Sequence, residues 1–130
     1  MSGVYLDASA LAKLILVEPE SVALRSLLRE NPDRFTSRVA QVEVTRAVLR
    51  YPDTKQAPVR DAFAGVEIIE LDAALAARAA TIGPTGLRSL DAIHLASALA
   101  LGAELDAFIT YDARQADAAR AAGLEVVAPS

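Results

Sequence analysis

Four acidic residues far apart in the chain, Asp7, Glu43, Asp91 and Asp112, fall where a carboxylate has more to do than keep the surface wet. Asp7 ends the apolar run Val4-Tyr5-Leu6, and Asp112 lies two residues beyond Phe108-Ile109-Thr110. Asp91 opens a helical run, and Glu43 shares helical spacing with Ala40 and Ala47, so its carboxylate points where apolar side chains point. Each aspartate taken singly has a structural explanation, because aspartate caps helices and acids are favoured in the first helical turn. Asp72, ahead of Ala73, reads as such a cap. Capping cannot explain Glu43, whose structural alternative is an ion pair with Arg46 or Arg50 on its own helix.

If the four meet, their chemistry is constrained. Two carboxylates about 5 Å apart repel by roughly 3 kcal/mol at an effective dielectric of about 20. A cluster of four therefore either takes up protons or holds a cation. The chain has no cysteine and one histidine, so the donors are oxygens and the fitting ions are hard ones, Mg²⁺ or Mn²⁺. Such an ion beside phosphate activates water for in-line attack, and the set reads as a phosphodiesterase site.

The elements that would bring these residues together follow from the alternation of strand-like and helix-like runs along the whole chain, the signature of βαβ units. Strands are expected over residues 4–6, 35–36, 66–71, 107–110 and 124–127. Helices are expected over 9–17, 20–29 with Pro19 in the first turn, 39–50, 59–64, 73–82, 90–101 and 113–122. Pro52 and Pro58 interrupt the chain between two of these helices, and Gly65, Gly102 and Gly123 each close a helix ahead of a strand. The pattern predicts an α/β fold with a mainly parallel sheet covered on both faces. Ligands bind such sheets outside the carboxyl ends of the strands, where Asp7 and Asp112 fall. A helix returning antiparallel into the fourth strand starts beside that strand's end and brings Asp91 there too.

The 130 residues, 53% of them hydrophobic, suit one domain with an ample core and need no disulfide. Seventeen acids against thirteen bases, a net charge of −4, argue against broad adhesion to nucleic acid or anionic lipid. The first twenty residues lack a basic start and include Asp7 and Lys13, and no apolar run approaches the ~20 residues that cross a bilayer. A soluble cytoplasmic protein is expected.

The segments around the four acids resemble PIN-domain ribonucleases, especially the VapC toxins of type II toxin–antitoxin pairs. The resemblance runs through Val4-Tyr5-Leu6-Asp7-Ala8-Ser9, Val42-Glu43-Val44-Thr45-Arg46-Ala47 and Thr110-Tyr111-Asp112. Its most specific stretch is Leu87-Arg88-Ser89-Leu90-Asp91-Ala92-Ile93-His94-Leu95-Ala96-Ser97-Ala98-Leu99. It implies a three-layer α/β/α PIN-like domain spanning residues 1–130, and an acidic quartet of Asp7, Glu43, Asp91 and Asp112 that binds Mg²⁺, with Asp7 and Asp91 the most direct ligands. It further implies an RNA substrate cut to 5′-phosphate and 3′-hydroxyl ends, homodimerisation, and inhibition by a cognate VapB-type antitoxin in a toxin–antitoxin hetero-oligomer.

Around the quartet, Ser9 and Thr110 are expected to hydrogen-bond the carboxylates or a phosphate. Lys13 is a candidate to steady a phosphate or an acid, against the ordinary outcome of an exposed helix lysine. Arg46, Arg88 and Arg114 flank three of the acids as candidate RNA-phosphate contacts, with solvated or charge-balancing roles equally open. His94 reads as a packed, hydrogen-bonded histidine rather than a general base, and Asp117 as solvated. The rival readings are a catalytically silent PIN-like module that only binds RNA or antitoxin, a phosphoacceptor signalling domain, and the same chemistry directed at DNA. The signalling domain would need adjacent acids after the first strand and a lysine near the last one, and neither is present.

Overall fold

The computed structural model describes residues 3–52 and 56–130. In chain order its elements are β1 (Gly3–Leu6), α1 (Ala8–Ala12), α2 (Ser21–Glu30), β2 (Arg34–Ser37), α3 (Val39–Leu49), α4 (Val59–Phe63), β3 (Val66–Ile69), α5 (Ala73–Thr81), α6 (Ser89–Ala100), β4 (Leu105–Ile109), α7 (Ala113–Ala121) and β5 (Val126–Val127). Among the described residues the five strands form one sheet in the order β3-β2-β1-β4-β5, and every pairing is parallel. None of the described helices is long and apolar enough to cross a membrane.

The central strand explains the layering. All four residues of β1 are buried, as a parallel strand covered on both faces must be. Its side chains alternate: Val4 and Leu6 pack with Leu11, Leu24 and Val44 of α1, α2 and α3, while Tyr5 packs with Phe108, Leu95 and Ala119 on the opposite face. Each fully buried leucine contributes about 1.5–3 kcal/mol. Helices α1 to α4 cover one face while the chain steps from β1 through β2 to β3. Helices α5 to α7 cover the other while it returns to β4 and β5 on the far side of β1. The strand order thus reverses between β1 and β4, and a crevice opens there at the carboxyl ends.

The expected α/β architecture is the observed one, with local differences. The helix expected over 9–17 keeps α-helical form only from Ala8 to Ala12, then tightens into turns in which the amides of Lys13, Leu14 and Ile15 bond three residues back. Its free carbonyls are taken by α2 instead: Ser21 Oγ donates to the Lys13 carbonyl at 2.7 Å, and Arg25 donates to the Leu14 carbonyl at 3.0 Å. Leu16 then pairs antiparallel with Gln56. Pro19 precedes the Glu20 cap rather than occupying the first turn. The third strand stops at Ile69, the fourth starts at Leu105, and the last is confined to two residues. Between Pro52 and Pro58, residues 53–55 lie outside the described residues. Gly123 closes α7 as expected, with φ of +89° and the Leu124 amide reaching back to the Ala119 carbonyl.

Gly3 is required by close approach. A Cβ there would lie 2.6 Å from the Asp33 carbonyl oxygen and 2.6 Å from a Phe35 ring carbon, so β2 could not stay beside β1. Gly3→Ala is expected to destabilise the fold by about 1–3 kcal/mol in denaturant titrations. Gly86→Ala, where nothing lies within 4 Å, is expected to change stability by less than about 0.5 kcal/mol.

Candidate active site

The crevice between β1 and β4 is built around Asp7. Its backbone amide bonds the Ile109 carbonyl at 3.2 Å, continuing the sheet one residue beyond β1, and its side chain caps α1. Oδ1 accepts from Ser9 Oγ at 2.6 Å and from the Ala10 amide at 3.1 Å, and Oδ2 accepts from Thr110 Oγ1 at 2.5 Å. Ser9 and Thr110 also join the two strand ends to each other. Their hydroxyls are 3.3 Å apart, Ser9 Oγ accepts the Tyr111 amide at 2.9 Å, and Thr110 Oγ1 accepts the Asp112 amide at 3.1 Å. Asp7 is only 5% exposed. Burial pushes its pKa above the ordinary aspartate value, against the opposing pull of the Ser9 and Thr110 hydroxyls, the nearby His94 and the Ala10 amide.

Asp112 and Asp91 face each other across an arginine. Asp112 caps α7, its Oδ1 accepting from the amides of Arg114 at 2.8 Å and Gln115 at 3.2 Å. Its Oδ2 meets Arg88 Nη2 at 3.3 Å, while Arg88 Nε meets Asp91 Oδ2 at 3.1 Å. The hydrogen bond and charge of Asp91, then the charge of Asp112, hold the guanidinium more firmly protonated than usual. With 59% of its side chain exposed, Arg88 is screened by water, which weakens both ion pairs. Gln115 donates to the Asp91 carbonyl at 3.1 Å, tying the start of α6 to α7.

Glu43 reaches the same place from α3. Its partner is neither Arg46 nor Arg50 but His94 of α6, whose Nε2 stands 2.6 Å from Glu43 Oε1. The other ring nitrogen, Nδ1, stands 2.6 Å from the Tyr5 hydroxyl. His94 is 2% exposed, packed and hydrogen-bonded as expected. Unlike the expectation for a merely packed histidine, it lines the site, and its position three residues after Asp91, which places both on one face of α6, is the sequence signal for this.

These residues share one cleft of about 330 Å³, lined by Asp7, Ala8, Ser9, Glu43, Arg88, Ser89, Leu90, Asp91, His94 and Asp112. All four expected acids therefore converge. Another hollow of similar size, between α5 and the start of α6, has no titratable lining residue. The remaining expected contacts lie elsewhere. Lys13 is neither exposed nor at the cleft: it is buried, 3.3 Å from Glu18 and 3.5 Å from Glu20, with Nζ 4.7 Å above the Tyr111 ring. Arg46 and Arg114 are exposed, and Arg114 lines a neighbouring hollow with Arg88, Asp91 and Asp117. Asp117 is solvated, and Asp72 caps α5 through the Leu75 amide at 2.8 Å.

The donor set suits a hard divalent cation, although no group of three acidic or histidine side chains among the described residues stands assembled around a single point. Mg²⁺ is commonly held through one or two carboxylates and keeps several waters, so a closed protein cage is not required. Asp7, buried with no cationic side chain bonded to its oxygens among the described residues, is the group that a cation would relieve most.

Comparison with known proteins agrees with this architecture. The PIN domain family matches residues 4–121. Ribonuclease VapC46 of Mycobacterium tuberculosis (strain ATCC 25618 / H37Rv) is 43% identical over 130 residues, covering all of both chains. Ribonuclease VapC47 of Mycobacterium tuberculosis (strain CDC 1551 / Oshkosh) is 41% identical over 97% of this chain and 96% of its own. In fold, the crystal structure of Mycobacterium tuberculosis VapC20, described as a Sarcin-Ricin loop cleaving toxin, superposes with a TM-score of 0.71 at 19% identity, over 98% of this chain and 100% of that one. A toxin-antitoxin complex from Klebsiella pneumoniae gives 0.68 at 22% identity, over 99% and 98%. With its end-to-end match to these ribonucleases and a sheet that opens at the same edge as its acids, the chain belongs to the PIN-domain family, within its VapC group.

Proposed function

We propose that the protein is a Mg²⁺-dependent endoribonuclease and the toxin of a type II toxin–antitoxin pair. The observation that carries this reading is the convergence of Asp7, Glu43, Asp91 and Asp112, from four separate elements, on one cleft at the reversal of strand order. In this reading Asp7 and Asp91 hold the ion directly and Glu43 and Asp112 complete its surroundings, with Mn²⁺ an acceptable substitute. Held there, the ion would supply Lewis-acid charge to water and phosphate oxygens.

The chain's own residues do the remaining work. Ser9 and Thr110 fix the orientation of the Asp7 carboxylate by donating to its two oxygens. Arg88, half-exposed at the mouth, exchanges its carboxylate partners for the phosphate of the entering strand. A chain of net charge −4 with an acid-lined cleft repels a polyanion, so substrate enters only when the acids are neutralised. The same charge suits a VapB-type antitoxin that presents a basic side chain to the cleft. The fold neighbours include toxin–antitoxin assemblies, among them VapBC2 from Rickettsia felis with a TM-score of 0.70, which supports an antitoxin partner; a homodimer within a hetero-oligomer is the form the family resemblance implies. One observation favours a second reading, a silent RNA- or antitoxin-binding module: Arg88 bridges Asp91 and Asp112 and already offsets part of their charge.

Activity separates the two. Asp7→Asn and Asp91→Asn are each expected to remove several kcal/mol of transition-state stabilisation, roughly a thousandfold in Mg²⁺-dependent RNA cleavage, while the fold persists. Sequencing of the RNA ends should show 5′-phosphate and 3′-hydroxyl products with the wild type alone. Equal cleavage by wild type and both variants would reject the assignment.

Stability reports on Asp7 independently. Its folded-state pKa lies above its unfolded value, so the fold favours the protonated carboxyl, and that contribution is lost as pH rises through the folded pKa. In chelator, the melting temperature of Asp7→Asn relative to wild type is expected to grow from acid to neutral pH. At neutral pH, millimolar Mg²⁺ should raise the wild type and leave Asp7→Asn almost unchanged.

A further inference from the structure

A chain of hydrogen bonds runs from the middle of the sheet to the cleft. Tyr5 is fully buried in the central strand, stacked on Phe108 with ring centroids 5.2 Å apart and planes 13° apart, so its hydroxyl is held by the sheet itself. His94 meets Tyr5 edge-on at 5.8 Å and 77°, with Nδ1 2.6 Å from the phenol and Nε2 2.6 Å from Glu43 Oε1. Exposure rises along the series, from 0% at Tyr5 through 2% at His94 to 20% for the Glu43 side chain.

We propose that Tyr5 and His94 are positioning residues that aim Glu43 into the cleft, and that through this carboxylate they set the affinity for the divalent cation. The inference rests on the reading of Glu43 as one of the ion's acids. The polarity of the chain follows from what each group can do. A carboxylate accepts, so Nε2 carries the hydrogen facing Glu43, and the Tyr5 hydroxyl meets the other ring nitrogen, Nδ1. Burial first, and the Asp7 charge next, raise the phenol's pKa and keep it a donor. The Thr36 and Ser97 hydroxyls, which pull the phenol's pKa the other way, donate to the carbonyls of Leu6 and Ile93 at 2.6 and 2.7 Å. With Oε1 engaged by His94, Oε2 of Glu43 has no hydrogen-bond partner among the described residues and is open to a second one. A rotatable glutamate in mid-helix is thereby referred to the most rigid part of the molecule.

The test is calorimetric titration of Mg²⁺, and separately Mn²⁺, into the folded chelator-treated protein, with melting curves confirming that each variant is folded. His94→Ala is expected to weaken binding about 10–100-fold, the cost typical of removing a group that orients a ligand. His94→Gln, whose amide nitrogen reaches roughly as far as Nε2, should restore most of the affinity, and Tyr5→Phe should weaken it by less than His94→Ala. Wild-type affinity in a folded His94→Ala, or His94→Gln as weak as His94→Ala, would overturn the proposal. If His94→Ala does not fold, the comparison of His94→Gln with Tyr5→Phe decides, and equal, wild-type binding by Tyr5→Phe overturns it. Glu43→Gln separates the levels. If it binds the ion as tightly as wild type, the assignment of Glu43 to the ion site fails, and the positioning role falls with it; if it binds weakly while His94→Ala does not, only the positioning role falls.

Discussion

A carboxylate withdrawn from water at the end of the central strand is the constraint around which this molecule is arranged. Asp7 cannot lie elsewhere, because its amide continues the β1–β4 pairing and its side chain caps α1. An unpaired buried charge is costly, and among the described residues the groups bonded to its oxygens are neutral donors, two hydroxyls and one amide. Those donors orient the carboxylate without neutralising it. In the proposed reading a bound cation would answer the rest of that charge, which the neighbouring Glu43, Asp91 and Asp112 increase.

The same crossing point shows why architecture and chemistry coincide. While the chain builds β1, β2 and β3, its helices cover one face; for β4 and β5 they cover the other. Only at the reversal can two strand ends diverge with no crossover covering the gap between them. Ser9 and Thr110 close the base of that gap by bonding across it, and Arg88 spans its rim.

Most of this frame was legible in the residues. Asp7 and Asp112 were placed by the strands they follow, and Asp91 by the antiparallel return of its helix, because these depend on local periodicity and on the rule for parallel sheets. Glu43 was located on the inner stripe of α3, but its partner was sought on the same helix. The partner, His94, is 51 residues away, and no local pattern encodes a contact between helices that cover opposite faces of the sheet. Lys13 differed for the same reason: Glu18 and Glu20 return beside it only because α1 ends early and the chain turns into α2. Local chemistry marked the ends of elements well, whereas pairings set by tertiary packing were beyond it.

The margins of the sheet carry a consequence for assembly. One border strand, β5, has two residues, and the other, β3, has four. A border so brief presents few free amides and carbonyls on which a strand from another molecule could extend the ladder. Any association with a second molecule would then fall to side chains on the outer helices.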